Sequence, residues 1–238
     1  MNAPSPRRLM EVERRGLRER VYDRILEMLL EGDVEPESRL SIDTLARQLD
    51  VSPTPVREAM VQLERTGLVT REALKGYRVA PPLAPDQLDE LFAARLMLET
   101  EATRLAGPHS EQLLPQLRAA HERHGHWTEQ VALAMRSGTA SVRETQDYFA
   151  ADADFHRVIL DAAGNRYIST MHNDLGALTH RMRQAVIRGV NDVTQAHAEH
   201  TAILAAFESG DPEAPTIAMR MHLEQVRNRS LHEEAGGR

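Results

Sequence analysis

Residues 45–69 read LARQLDVSPTPVREAMVQLERTGLV, and their punctuation and spacing decide the N-terminal fold. Asp50-Val51 makes a tight turn, and Ser52 stands where a helix N-cap is expected. Pro53 takes the first helical position, where its missing N–H costs nothing. Gly67 supplies a left-handed stop. At 100° per residue, Val56, Ala59, Met60 and Leu63 fall on one side of this helix. Thr54, Arg57, Glu58, Val61 and Arg65 fall on the other. Upstream, a second helix fits 41–49, with Ser41 as N-cap and Ile42, Leu45, Ala46 and Leu49 on one face. A first helix begins near Gly16, carries Val21, Ile25, Met28 and Leu29 at helical spacing, and ends at Gly32. Downstream, β-like pieces at 68–71 and 77–80 flank a turn containing Lys75-Gly76.

Three helices followed by a two-stranded hairpin make a winged helix-turn-helix. In that arrangement the N-terminal part of the second motif helix enters the major groove. Ser52 and Thr54 then offer hydroxyls to phosphate or base, and Arg57 can grip guanine O6 and N7 in bidentate fashion. Arg71, Lys75 and Arg78 on the wing contact backbone or minor groove. On pattern alone, a plain three-helix bundle solubilised by its arginines fits as well.

The formal net charge of −7 argues at first against a nucleic-acid partner, and its distribution removes the objection. Residues 1–80 hold 14 basic and 14 acidic side chains, so the later residues carry the whole excess. A neutral head on an acidic body is compatible with DNA binding by the head alone. The chain has no cysteine, which excludes disulfides, thiolate metal sites and a cysteine nucleophile. No run of eighteen or more apolar residues is present to span a membrane, and no apolar segment follows the basic N-terminus. A cytoplasmic protein with no membrane partner is expected.

Residues 1–15 read as a flexible arm and 16–82 as the DNA-binding domain, with a linker at 83–85 among the prolines Pro81, Pro82 and Pro85. From 86 to 232 the pattern is helical throughout, with helices expected near 86–106, 110–136, 141–163, 166–189, 193–209 and 212–232. Residues 233–238 form a tail. The fold class is therefore mostly α, a winged helix-turn-helix followed by an all-α bundle.

Within that bundle, Asp152 and His156 lie about 40° apart on one helix face. Phe149, Ile159, Leu160 and Ala163 share the face, so both polar groups point inward. His200 sits at the centre of the stripe Val193, Ala196, Ile203, Leu204 and Phe207, and His222 flanks Ala218, Met219 and Val226. Four inward ligands on three helices can surround one divalent cation. Imidazoles with a carboxylate and no thiolate suit Zn²⁺, Ni²⁺ or Mn²⁺, and three histidines favour the first two. A hydrogen-bonded Asp–His couple and a structural core histidine satisfy the same spacing. His121, His124 and His126 scatter around their helix and suggest no second site. His172, His180 and Arg183 line either a cavity or a dimer face.

Residues 45–69, with Lys75-Gly-Tyr-Arg-Val-Ala80, closely resemble the winged-helix signature of GntR-superfamily regulators. Pro53 stands where many members carry arginine, so one potential DNA contact is missing. Asp152-Ala-Asp-Phe-His156, Ala163-Gly-Asn165, Glu199-His200, Gly210-Asp211 and Met221-His222-Leu223 resemble the FCD ligand-sensing domain of the FadR-like branch. The resemblance implies a homodimeric regulator, more often a repressor, acting on a double-stranded DNA operator. It also implies a metal held by Asp152, His156, His200 and His222 beside an effector cavity. Arg95 and Glu99 resemble that domain's first helix. There Arg95 either binds the carboxylate of a small organic-acid effector or forms a surface pair with Glu99.

Two rivals remain. One is a regulator whose signal is the metal itself. The other is a metallohydrolase, for which no His-Glu-x-x-His, phosphate loop or Gly-x-Ser-x-Gly is present.

Overall fold

The computed structural model describes residues 6–30, 34–65, 67–72, 76–81, 83–175 and 190–232. The chain divides into two compact units, Met1–Pro82 and Leu83–Arg238.

In the first unit, α1 (Pro6–Leu30) is followed by β1 (Arg39–Leu40), α2 (Ile42–Gln48) and α3 (Pro53–Arg65). Strands β2 (Val69–Glu72) and β3 (Gly76–Val79) complete it. Helix α2 starts where Ser41 Oγ accepts the N–H of Thr44 at 3.3 Å. Ser52 makes no such cap among the described residues. Pro53 and Pro55 have no N–H, which leaves only Thr54 to donate in that first turn. Val56, Ala59, Met60 and Leu63 are fully buried against Val21, Ile25, Leu45 and Val69. Burying side chains of this size stabilises by about 1.5–3 kcal/mol each for the larger ones, and this face fixes how α3 sits on α1 and α2. After α3 the chain reverses at Gly67, whose φ of 68° favours glycine.

The expected pairing of β2 with β3 is present and gains a third strand, and the start of the first helix is corrected. The wing belongs to a three-stranded antiparallel sheet of order β1-β3-β2, with Val69 opposite Val79 and Leu40 opposite Tyr77. A two-residue strand is too short to show alternation, so β1 left no pattern to read. The helix also begins at Pro6, so residues 6–15 are not an irregular arm. Proline at a helix start followed by Arg, Leu, Met and Glu is a sound helix beginning.

The second unit is all helical among its described residues. Helix α4 (Pro85–Ala106) passes through a 3₁₀ turn, Gly107–His109, into α5 (Ser110–Ser137). Helix α6 (Val142–Ala162), α7 (described over 166–175), α8 (Val190–Glu208) and α9 (Ala214–His232) follow. Helix α5 packs on α6 and α8, α4 packs on α6 and α9, and α8 packs on α9. Phe155, Ile159, Ile203, Met219 and Leu223 meet in the main core between these helices.

Helix α6, which carries Asp152 and His156, begins with a reciprocal cap. Ser141 Oγ accepts the N–H of Glu144 at 3.2 Å, while the Glu144 carboxylate accepts the N–H of Ser141 at 2.9 Å. The Ser141 N–H, and then the Ser141 hydroxyl, both donating to the Glu144 carboxylate, hold that carboxyl below its ordinary value. Ser141→Ala is expected to lower stability by about 1 kcal/mol. Urea unfolding followed by far-ultraviolet dichroism measures this, and an unchanged midpoint contradicts the cap.

Candidate functional site

The outer side of α3 has no partner among the described residues of its own unit. Ser52, Thr54, Arg57, Glu58, Val61 and Arg65 are exposed, and a shallow groove beside Arg18 of α1 runs along Thr54, Arg57, Val61 and Arg65. Arg57 makes no hydrogen bond or ion pair among the described residues, so its guanidinium projects freely from the first turns of α3. Arg71 on β2 is exposed as well. Lys75 lies outside the described residues. Arg78, expected as a wing contact, is instead spent on the domain itself. Its Nε donates to Glu72 at 2.8 Å and its Nη1 donates to the carbonyl of Glu37. That correction has a simple cause. Arg78 sits on the central strand β3, so its side chain meets neighbours from both flanking segments.

In the helical unit, α6, α8 and α9 bring Asp152, His156, His200 and His222 together in the interior. All four are buried, and His200 is wholly so. One ligand atom from each of His156, His200 and His222 lies within 4.8 Å of the other two, and His124, Asp152 and His200 form a second such group. The imidazole centroids of His156, His200 and His222 are 4.8–5.2 Å apart. Asp152 Oδ1 lies 3.5 Å from His200 Nε2. Phe155 stacks on the His200 ring at 4.2 Å and sets its plane.

The outer partners select which nitrogen each ring turns to the centre. His156 Nδ1 lies 2.7 Å from Glu99 Oε2, and His222 Nδ1 donates to Glu199 Oε2 at 2.8 Å. A histidine whose Nδ1–H is tied to a carboxylate has its Nε2 lone pair available for a metal. Neither ring nitrogen of His156 makes a well-directed hydrogen bond among the described residues: Nδ1 has its 2.7 Å approach to Glu99, and Nε2 is left buried without one. Leaving such an atom without a partner is costly, and a cation in the pocket satisfies it. Burial holds the His156 imidazole below its ordinary value, against the pull of Glu99, and so keeps it in the neutral form that ligates. The donor set fits a borderline divalent ion.

The two carboxylates are themselves anchored by cations. Burial pushes the Glu99 carboxyl up, but Arg95, His156 and His172 together hold it well below the usual range. Arg95 Nε donates to Glu99 at 2.7 Å, and His172 Nε2 lies 3.3 Å away from the same carboxylate. Glu199 accepts from both terminal nitrogens of Arg229, one at 3.0 Å. Burial raises the Glu199 carboxyl, and His222 and Arg229 outweigh that and lower it. The surface-pair alternative for Arg95 and Glu99 is thus overturned. The pair exists, but both side chains are at most 3% exposed.

Sequence patterning missed Glu99, Glu199 and His124 as members of this cluster. The signal for His124 was present. It continues the buried stripe Leu113, Leu117 and Ala120, and Thr128 and Val131 follow it at the same helical spacing. His121 is half-buried and His126 exposed. His180 and Arg183 lie outside the described residues.

Two family models match the chain. Residues 17–79 match that of the bacterial regulatory proteins of the gntR family, and residues 90–225 match the FCD domain. The chain is 27% identical to the uncharacterized HTH-type transcriptional regulator BphR of Paraburkholderia xenovorans, covering 88% of this chain and 83% of that protein. It is 26% identical to the HTH-type transcriptional repressor GlaR of Escherichia coli, covering 82% and 87%. Among solved structures, E. coli McbR/YncC shares the fold with a TM-score of 0.64 at 22% identity, covering 88% of this chain and 94% of that one. Among the described residues no helix is long and apolar enough to cross a membrane. An exposed helix face in a winged helix-turn-helix unit, a second unit that is helical throughout its described residues and both family matches lead to one conclusion: the chain belongs to the gntR family of bacterial regulatory proteins, transcriptional regulators whose helix-turn-helix implies an operator DNA partner, and it carries an FCD domain.

Proposed function

We propose that this chain is a repressor that binds double-stranded operator DNA as a homodimer and is controlled by a small organic acid bound beside a divalent metal. The observation that carries this reading is the uncovered N-terminal turn of α3. Thr54 and Arg57 project there without partners among the described residues, while the opposite face of the same helix is fully buried. Ser52, Thr54 and Arg57 take base edges and adjacent phosphates, and Arg71 and Lys75 take backbone. A dimer sets two such heads about one helical turn apart, which matches a two-fold symmetric operator. No catalytic role is assigned to any residue, in keeping with relatives named as transcriptional regulators.

Asp152, His156, His200 and His222 hold the metal, with Zn²⁺ or Ni²⁺ preferred over Mn²⁺ for a three-histidine set. When bound, the ion supplies a Lewis-acidic point for one effector oxygen. Arg95, whose Nε is held by Glu99, keeps its two terminal nitrogens for a carboxylate. An effector changes operator affinity only by binding one arrangement of the two heads better than the other.

The test is a mobility-shift titration of a fragment from the regulator's own promoter, repeated against a panel of mono-, di- and tricarboxylic acids with zinc-loaded protein. One acid is expected to raise the melting temperature and to change operator affinity at the same concentration. If no fragment is retarded in preference to random DNA, the regulator reading fails. Retardation that zinc removal alters but no acid does assigns the signal to the metal itself.

A further inference from the structure

The three candidate histidine ligands are not anchored alike. Glu99 faces Nδ1 of His156 and Glu199 accepts from Nδ1 of His222, but Nδ1 of His200 faces Nδ1 of a fourth histidine, His124 on α5, at 3.0 Å. At that separation the two ring nitrogens share one proton, so one ring donates and the other accepts. With the proton on His124, His200 turns its Nδ1 lone pair outward and presents an N–H at Nε2, the atom facing Asp152. With the proton on His200, the Nε2 lone pair faces Asp152 and the other two imidazoles, which is the form a cation requires.

We propose that His124 is the positioning residue of this metal centre, accepting the Nδ1–H of His200 and thereby presenting His200 Nε2 to the ion. The proposal rests on reading the cluster as a metal centre. His124 is built for a fixed orientation. It is fully buried, with the ring centroids of Tyr148 and His197 at 5.0 and 5.4 Å from its own. Its neighbour Gly125 leaves room for the His197 ring, because a Cβ there would stand 2.9 Å from that imidazole. His197 in turn stacks on His121 at 4.5 Å. His124 is thus wedged from two sides, and through it α5, which supplies none of the four proposed ligands, orders the ligand on α8. Its neutral nitrogen orients His200 without adding another negative charge to those of Asp152, Glu99 and Glu199.

The test is zinc affinity of the full chain by chelator competition. His124→Leu is expected to weaken binding about 10- to 100-fold, as loss of an outer-shell partner does. His124→Asn places an amide oxygen where Nδ1 stood and is expected to restore most of the affinity. A structural role alone would not distinguish the two in the Co²⁺ absorption spectrum, where His124→Leu is expected to broaden the bands and His124→Asn to reproduce the wild type. Independently of any variant, imidazole ¹⁵N shifts of the zinc-loaded wild type are expected to show His200 protonated at Nδ1 and metallated at Nε2. Wild-type affinity in His124→Leu, equal losses in both variants, or metallation of His200 at Nδ1 overturns the proposal while leaving the centre itself standing. Absence of zinc binding by the wild-type protein overturns both.

Discussion

Replacing Arg57 by alanine is expected to abolish sequence-specific retardation of the operator fragment while leaving fold and metal content unchanged. Arg57 sits in the first turns of α3, on its exposed face, and makes no bond among the described residues. Its removal therefore leaves no buried group unsatisfied, and its cost to stability stays within the small range of surface substitutions. Its cost to recognition is of another order. A bidentate arginine–guanine pair contributes about 1–3 kcal/mol of discrimination. In the proposed homodimer the contact is made twice, so about 2–6 kcal/mol is lost, roughly 30-fold in affinity at the low end. Arg71→Ala, by contrast, removes a backbone contact and is expected to weaken specific and non-specific complexes alike, with a shallower salt dependence. Retention of wild-type operator affinity by Arg57→Ala in a mobility-shift titration removes α3 from the groove.

The exposed and buried faces of α3 were visible in the sequence because helical periodicity states them directly. Val56, Ala59, Met60 and Leu63 had to be inside, and all four are fully buried. The inward pointing of Asp152, His156, His200 and His222 was visible for the same reason, since each shares a stripe with aliphatic neighbours. What periodicity does not carry is register between helices. It places Glu99 on the inner side of α4 and Glu199 beside His200, but not the fact that each meets a ring nitrogen from another helix. Glu99 was the hardest to read, because Arg95 four residues earlier offers a complete local explanation. Only burial of both side chains shows that the pair faces the core, where an isolated charge is too costly and a third and fourth partner become necessary. Strand β1 escaped for a different reason. Two residues cannot display a period of two, and the strand exists only because β3 offers it an edge.

Zinc is expected to raise the melting temperature of the wild-type protein, and His200→Ala to eliminate that increment together with most of the bound metal. A ligand that binds only the folded state stabilises by about 2.7 kcal/mol at a hundredfold excess over its dissociation constant. For a chain of this length each kcal/mol moves the midpoint by about 2–4 °C, so an increment of roughly 5–11 °C follows. His200 is the member whose loss matters most. It belongs to both groups of potential ligands, lies at 3.5 Å from Asp152 and is the only one of the three ligand imidazoles stacked face to face on a core phenylalanine. The alanine also opens a cavity against Phe155, so the metal-free variant melts lower than the metal-free wild type. The informative quantity is consequently the difference between zinc-loaded and chelator-treated midpoints within each protein, from which the cavity cancels. His126→Ala, at an exposed position on α5 away from the cluster, is expected to keep the full increment. Should His200→Ala bind zinc at wild-type stoichiometry by elemental analysis, or keep the full increment, the four residues are a hydrogen-bonded core and the metal belongs elsewhere.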